Sequence, residues 1–128
     1  MNPVTAPTAV VSHTVTEVDE QLDALTTVLG LSQVEIAAIV GTTPRSVSRW
    51  RGATPAPARP RPAHSRRLRE LDRLRWLLES DLGSSEGRHW LRRPNHALRG
   101  QAPLDALLEG DLDRVLGLVL SLGQGGLF

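Results

Sequence analysis

The sequence predicts an all-α protein, a small helical bundle, and three observations support this prediction. Apolar residues recur at intervals of three and four along several stretches, which is the spacing of one helix face. Two Ser/Thr-x-x-Glu patterns, at Thr14–Glu17 and Ser32–Glu35, stand before such stretches, where they cap a first helical turn. Pro44 and Pro103 are each placed as the first residue of a helix, where the missing N–H is no loss.

Length and composition restrict the class of protein. The chain has 128 residues, enough for one compact domain or for two very small ones that share a core. It has no cysteine, which removes disulfides, thiolate zinc sites and cysteine nucleophiles, and which fits a reducing compartment. The start carries no secretion signal, and the apolar run Val115–Leu120 is too short to cross a bilayer. We therefore expect a cytoplasmic protein that does not insert into membranes.

Charge is unevenly distributed, although the net charge is only +1. Residues 1–44 contain five acidic residues and no arginine, and residues 45–75 contain ten arginines against two acidic residues. Residues 101–128 contain four acidic residues and one arginine. A basic middle favours an anionic partner such as nucleic acid, although a solvated linker and helix face would give the same pattern.

The first helix is expected to begin at about Thr14 and to end at Gly30. Residues 1–13 mix Pro, Thr, Ala and Val without a period, so we expect a mobile arm there. From Thr14 onward, apolar residues alternate at intervals of three and four: Val15, Val18, Leu22, Leu25 and Leu29. This helix begins the first predicted domain, residues 14–52, which also contains the two short helices that follow it.

Two short helices follow, and together they predict a helix-turn-helix. Ser32 and Glu35 cap the first of them, and Gly41 permits the tight turn that ends it. Thr43 caps the second, which ends before Gly52.

The order of residues in this segment resembles an Xre-type helix-turn-helix, with small Ala37 where the helices cross and Ile36 and Val47 in their shared core. Trp50 is expected to pack inward. The resemblance implies a recognition helix in the DNA major groove, where one arginine can discriminate guanine by about 1–3 kcal/mol. The implied DNA-binding residues are Gln33, Thr43, Arg45, Ser46, Ser48 and Arg49. A scaffold that has lost DNA binding would carry the same pattern.

A proline-rich segment separates this unit from the second half. Residues 53–63 have proline at every second or third position, which excludes a helix or a central strand and predicts a stiff, extended linker. Residues 64–128 are predicted to form the second domain, and its first helix is expected to begin at Ser65. Its leucines are expected to face inward and its arginines largely outward: Leu68, Leu71, Leu74, Leu77 or Leu78, and Leu82; Arg66, Arg67, Arg69, Arg73 and Arg75.

Two further short helices joined by an ordered loop are predicted between Ser84 and Leu108, the first beginning at Ser84-Ser85-Glu86. Pro94 ends the first of these helices, Gly100 permits a turn, and Pro103 begins the second. The last helix, from about Asp111, carries apolar residues around more than one side. That excess indicates either a subunit or partner contact or a tightly enclosed core helix.

This part of the chain resembles the Xre/MbcA/ParS toxin-binding domain of bacterial antitoxins, which usually follows a helix-turn-helix. The resemblance is carried by Trp90-Leu91, Pro94-Asn95, Leu98, Gly100 and Pro103-Leu104, followed by Gly110 and Val115. It implies a RES-domain toxin that consumes NAD and whose cleft is covered by the antitoxin's C-terminal end. The toxin-binding residues it implies are Trp90, Pro94, Asn95, Leu98, Gly100, Gly125, Gly126, Leu127 and Phe128. From the residues alone, the glycine-rich end could equally be a frayed terminus.

The sequence thus predicts an antitoxin that binds operator DNA and a toxin, as a homodimer or in a higher hetero-oligomer with the toxin. The alternative is a helix-turn-helix transcriptional regulator whose C-terminal half only dimerises or binds another protein. An enzyme is not predicted, because no nucleophile is arranged with a base and no glycine-rich loop stands before a helix. The four histidines lack the spacing of a metal site, so neither a metal nor a cofactor is expected.

Overall fold

The computed structural model describes residues 5–52, 55 and 58–125. Over these residues the chain is helical, which confirms the predicted all-α class. The α-helices are α1 (Thr5–Leu29), α2 (Gln33–Val40), α3 (Pro44–Trp50), α4 (Pro62–Leu82), α5 (Ser84–Arg92), α6 (Pro103–Leu108) and α7 (Leu112–Gly125), with a short 3-10 helix (His96–Leu98) between α5 and α6.

The ends of α2 and α3 follow the local sequence. The Ser32 hydroxyl accepts a hydrogen bond from the Glu35 backbone N–H, and the Glu35 carboxylate accepts one from the Ser32 N–H, so the predicted capping box is confirmed. Gly41 ends α2 with φ +88°, a left-handed conformation that glycine adopts without strain. Thr43 caps α3 through the Ser46 N–H, and Pro44 occupies the first helical position.

Two predicted helix starts are wrong by several residues. Helix α1 begins at Thr5 rather than Thr14, so the predicted mobile arm at residues 1–13 is helical from Thr5 onward. Pro7 lies in the first turn of α1, where its missing N–H removes no helical hydrogen bond. Helix α4 begins at Pro62 rather than Ser65, again with proline in the first turn.

Helix α7 continues through Gly125, although the glycine-rich stretch from residue 123 was expected to free the chain from the helix. Glycine in a helix costs only about 1 kcal/mol relative to alanine. A helix that is already anchored by its buried face can therefore extend through a final glycine-containing turn.

One hydrophobic core joins the two halves of the chain. Helix α4 is central, because it packs against α1, α2, α5 and α7, and α6 also packs against α2. The fully buried side chains come from both sides of residues 53–63, for example Leu22 and Ile36 before them and Leu71 and Leu107 after them. The proline-rich segment is therefore not a boundary of the core, and α1–α3 are held against the helices that follow.

Among the described residues, no single helix is both long and apolar enough to cross a membrane. Only the stretches Glu17–Leu29 and Gln33–Val40 together reach that length and apolarity, and they are bent by 116° relative to each other.

Candidate functional site

Helices α2 and α3 form the candidate DNA-reading unit, and Gln33 ties them together. The Gln33 side-chain amide donates hydrogen bonds to the Pro44 carbonyl (3.1 Å) and to the Ser48 hydroxyl. Ile36 and Val47 are fully buried between the helices. Gln33 and Ser48 were predicted to contact DNA, and the structure gives both a role in fixing the angle between the two helices.

The remaining predicted DNA-binding residues lie on one side of α3 and at its start. Arg45 and Thr43 are exposed, and Ser46 is half-buried with its hydroxyl 3.1 Å from that of Thr43. Arg49 is half-buried and already engaged within the chain. Arg45 is thus the predicted guanidinium that is most open to a partner, and contact with DNA stays a prediction for all six residues.

The C-terminal end of α3 is anchored on two sides. The Trp50 ring lies 5.8 Å from that of His64, which belongs to the first turn of α4, and Trp50 is half-buried against the core as expected for an inward-packing side chain. The Arg51 guanidinium forms an ion pair with Asp23 of α1 at 2.9 Å. These contacts fix the direction in which α3 presents its exposed face.

The loop between α5 and α6 is organised by Asn95. Its side-chain oxygen accepts a hydrogen bond from the Ala97 N–H (2.9 Å), and its carbonyl accepts from Leu98 and Gly100. The Asn95 N–H donates to the Gln101 carbonyl, which closes the loop. Two successive residues, Arg99 and Gly100, adopt positive φ of 57° and 84°. The predicted ordered loop is present, and Asn95 and Gly100 are the residues that shape it.

Two of the predicted toxin-binding residues belong to the core. Trp90 is 8% exposed and Leu98 is 2% exposed, and both belong to the hydrophobic core. In the chain by itself Leu98 is enclosed and Trp90 leaves only a small surface, and contact of either residue with a partner stays a prediction. Pro94 and Gly100 are exposed and Asn95 is half-buried, so the loop offers its backbone and these residues to a partner.

The predicted C-terminal contact falls at the end of α7. Gly125 is its last residue, part of the helix rather than of a flexible tail. Gly126, Leu127 and Phe128 lie outside the described residues. Contact of Gly125, Gly126, Leu127 and Phe128 with a toxin stays a prediction.

An open groove between α1 and α4 has an acidic wall formed by Glu17 and Glu20. On its other side Arg75 holds Asp72 and Glu79, each with a 2.8 Å contact. Burial lowers the pKa of the Arg75 guanidinium, but its hydrogen bonds to these carboxylates outweigh that effect and raise the pKa above its ordinary value. The prediction that Arg75 faces largely outward is wrong, because its side chain is 17% exposed and lies against Asp72 and Glu79.

Sequence reasoning missed Trp76. Its side chain on α4 is 57% exposed, an unusual position for a tryptophan. The exposure of Trp76 could have been predicted only from helical spacing, which places it opposite the buried leucines of α4, such as Leu71 and Leu74.

In the described part of the chain, no three His, Asp or Glu side chains are grouped so that they could hold a metal ion.

Comparison with known proteins identifies the second half of the chain. A sequence model described as the antitoxin Xre/MbcA/ParS C-terminal toxin-binding domain matches residues 77–124, from the end of α4 to α7. The mycobacterial cidal antitoxin MbcA of Mycobacterium tuberculosis and of Mycobacterium bovis is 33% identical over 97 residues, which are 76% of this chain and 83% of MbcA. The chain belongs to the Xre/MbcA/ParS antitoxin family.

Other members of the Xre/MbcA/ParS antitoxin family and a solved structure agree with this assignment. A probable mycobacterial cidal antitoxin of M. tuberculosis is 34% identical over 109 residues, 85% of this chain and 90% of that protein. The crystal structure of the M. tuberculosis MbcT–MbcA toxin–antitoxin complex contains a chain with a TM-score of 0.61 and 29% identity, which covers 84% of this chain and 94% of that one. The family resemblance of the Trp90–Leu104 segment is therefore confirmed, and similarity extends to α-helices before the toxin-binding domain.

Proposed function

We propose that this protein is the antitoxin of a type II toxin–antitoxin pair and that it acts by binding its toxin, without catalysis of its own. The observation that carries the proposal is the family match over residues 77–124, which spans α5, the Asn95 loop, α6 and α7. The similar chain in the MbcT–MbcA structure comes from a toxin–antitoxin complex, which supports a toxin as the partner.

The partner we propose is a RES-domain toxin that consumes NAD, inhibited by occlusion of its cleft. Helix α7 is anchored in the core by Val115 and Val119, which are both fully buried. A chain end that leaves such a helix starts from a fixed position, so the last residues lose less conformational entropy on binding than a long free tail. Leu127 and Phe128 supply the apolar side chains for this contact.

We further propose that α2 and α3 bind operator DNA in the cytoplasm and repress the antitoxin's own operon. Arg45 is exposed at the start of α3, and the Gln33 bonds fix α3 relative to α2. One recognition helix buries little surface, so specific binding requires a homodimer or an assembly with the toxin that presents two helices one DNA turn apart.

Toxin inhibition is tested with a chain that ends at Gly125. The full-length protein is purified from its native cells, the co-purifying protein is identified by mass spectrometry, and NAD consumption by that protein is measured with and without antitoxin. Removal of Gly126–Phe128 is expected to restore NAD consumption while the complex persists, because α7 keeps its described length. A second variant, Leu127→Ser with Phe128→Ser, keeps the chain length and removes the two apolar side chains. It should lose inhibition in the same way as the truncated chain.

Equal inhibition by the truncated and full-length chains would contradict occlusion by the chain end. Recovery of DNA with no NAD-consuming protein would instead support the alternative, a transcriptional regulator whose C-terminal half only dimerises or binds another protein.

Operator binding is tested with Arg45→Ala. We expect this variant to lose about 1–3 kcal/mol of preference for the duplex upstream of its own gene, if Arg45 pairs with a base edge. Toxin inhibition should be unchanged, because Arg45 lies on α3, outside the matched toxin-binding domain. Fluorescence anisotropy against that duplex and a scrambled one measures the preference, with Arg93→Ala as the control. An unaltered preference would remove Arg45 from the DNA interface.

A further inference from the structure

Three arginines form a continuous line on the outer face of α4. Arg66, Arg69 and Arg73 follow one another at intervals of three and four residues, which places them on one side of the helix. All three are exposed, and the face opposite carries buried Leu71 and Leu74. We call these three residues the arginine stripe.

The arginine stripe begins beside the end of the candidate recognition helix. The ring of His64, in the first turn of α4, contacts that of Trp50, the last residue of α3. The Ala58 N–H donates to the Arg49 carbonyl at 3.1 Å, so the chain entering α4 is also held against α3. Arg66 therefore stands within one helical turn of a contact with α3.

Neighbouring acidic residues leave the stripe positive. Among the described residues, no carboxylate lies within ion-pair distance of Arg66, Arg69 or Arg73, and Arg69 donates one hydrogen bond to the Ser65 hydroxyl. Glu70, which follows Arg69 directly, is half-buried at the side of the stripe.

The other nearby carboxylates are already matched by arginines outside the stripe. Asp72 and Glu79 pair with Arg75, and Asp23 of α1 pairs with Arg51. Among the described residues, the outer face of α4 thus carries three arginines that no carboxylate neutralises.

We propose that the arginine stripe binds the phosphate backbone of DNA next to the bases faced by α3. The stripe spans about 10 Å, at 1.5 Å of rise per residue. Double-stranded DNA carries one negative charge for about every 1.7 Å of its axis, so this length meets several phosphates. The interaction is independent of base sequence, and it extends the footprint of the helix-turn-helix onto a helix of the second half.

This inference rests on the proposed operator binding, and its test separates the two. Arg66→Gln, Arg69→Gln and Arg73→Gln are combined in one variant of the full chain, and Arg88→Gln, Arg93→Gln and Arg99→Gln in a control with the same net charge outside α4. Anisotropy titrations use the duplex upstream of the gene and a scrambled duplex at several salt concentrations. Circular dichroism confirms that both variants fold.

The stripe variant is expected to lose affinity for both duplexes in parallel. Its slope of log K against log salt should fall by about 2–3, since each lost phosphate contact contributes about 0.9. Replacing the same three arginines with lysine should retain the wild-type slope, because phosphate contacts need the charge more than the guanidinium shape.

Three results would overturn the inference. An unchanged salt slope in the stripe variant would show that the stripe does not contact DNA. Operator binding by α3 would still be supported if Arg45→Ala loses its preference for the upstream duplex over the scrambled one. An equal fall in the control variant means that net charge alone is responsible. Loss of the co-purifying toxin with DNA binding intact makes the stripe a protein-binding surface. Absence of any preference in the wild type would count against operator binding itself.

Discussion

Leu71→Ala is expected to lower the free energy of unfolding by about 2–5 kcal/mol and to destabilise both halves of the protein together. Leu71 is fully buried on α4, the helix that packs against α1, α2, α5 and α7. The substitution removes buried apolar surface and leaves a cavity. Helices before and after residues 53–63 both line this cavity.

Chemical denaturation followed by two probes measures this effect. Far-UV circular dichroism reports on all helices, and tryptophan fluorescence reports on Trp50 in the first half and on Trp76 and Trp90 in the second. We expect one transition with coincident curves, shifted as a whole in the variant. Val34→Ala is the control, because Val34 is 64% exposed and its change should stay within about 0.5 kcal/mol. Two separate transitions, only one of them moved by Leu71→Ala, would show that the halves do not share a core.

Arg92→Ala is expected to cost about 1.5–3 kcal/mol, because a charged donor to the part-buried and exposed carbonyls at the end of α1 is lost. The Arg92 guanidinium on α5 donates to the carbonyls of Leu29 and Gly30 at 3.0 Å, and also to that of Arg88. The first two carbonyls belong to the end of α1, where a helix leaves acceptors without helical partners. The positive charge of Arg92 also interacts favourably with the negative C-terminal end of the α1 dipole.

The neighbouring residue supplies the control for this prediction. Arg93 pairs with Glu86 at 2.9 Å, but the two side chains are 60% and 53% exposed, and such surface pairs contribute at most about 1 kcal/mol. Thermal unfolding of Arg92→Ala, Arg92→Lys and Arg93→Ala should rank them from least to most stable in that order. A result in which Arg93→Ala is the less stable of the two alanine variants would show that the contact with α1 contributes nothing.

Sequence reasoning was most accurate where structure is determined locally. The capping box at Ser32 and Glu35, the left-handed Gly41 and the start of α3 at Pro44 each depend on residues within one helical turn, and all are confirmed. Proline and glycine misled the same reasoning at helix ends. Pro7 and Gly125 were read as signs of irregular chain, and both lie in terminal turns, where helices tolerate them.

Contacts between distant residues could not be predicted in the same way. The apolar stripe of α1 indicates a buried face but does not say which helix covers it, and the bonds from Arg92 to the end of α1 join residues more than sixty positions apart. The same limit explains the candidate site. Trp90 and Leu98 were predicted as toxin-binding residues, but whether such residues touch a partner or belong to the core depends on the packing of α5 and α6.

The shared core has a consequence for how such proteins can be recombined. Because α4 packs against both α1 and α2, the end that we propose to read DNA and the toxin-binding domain are not independent modules joined by a tether. A chimaera cut within residues 53–61 would separate Leu22 and Leu25 of α1 from the leucines that cover them. New pairings of operator and toxin specificity are therefore expected to arise from exchange of surface residues, such as those on α3 or at the chain end, rather than from exchange of whole halves.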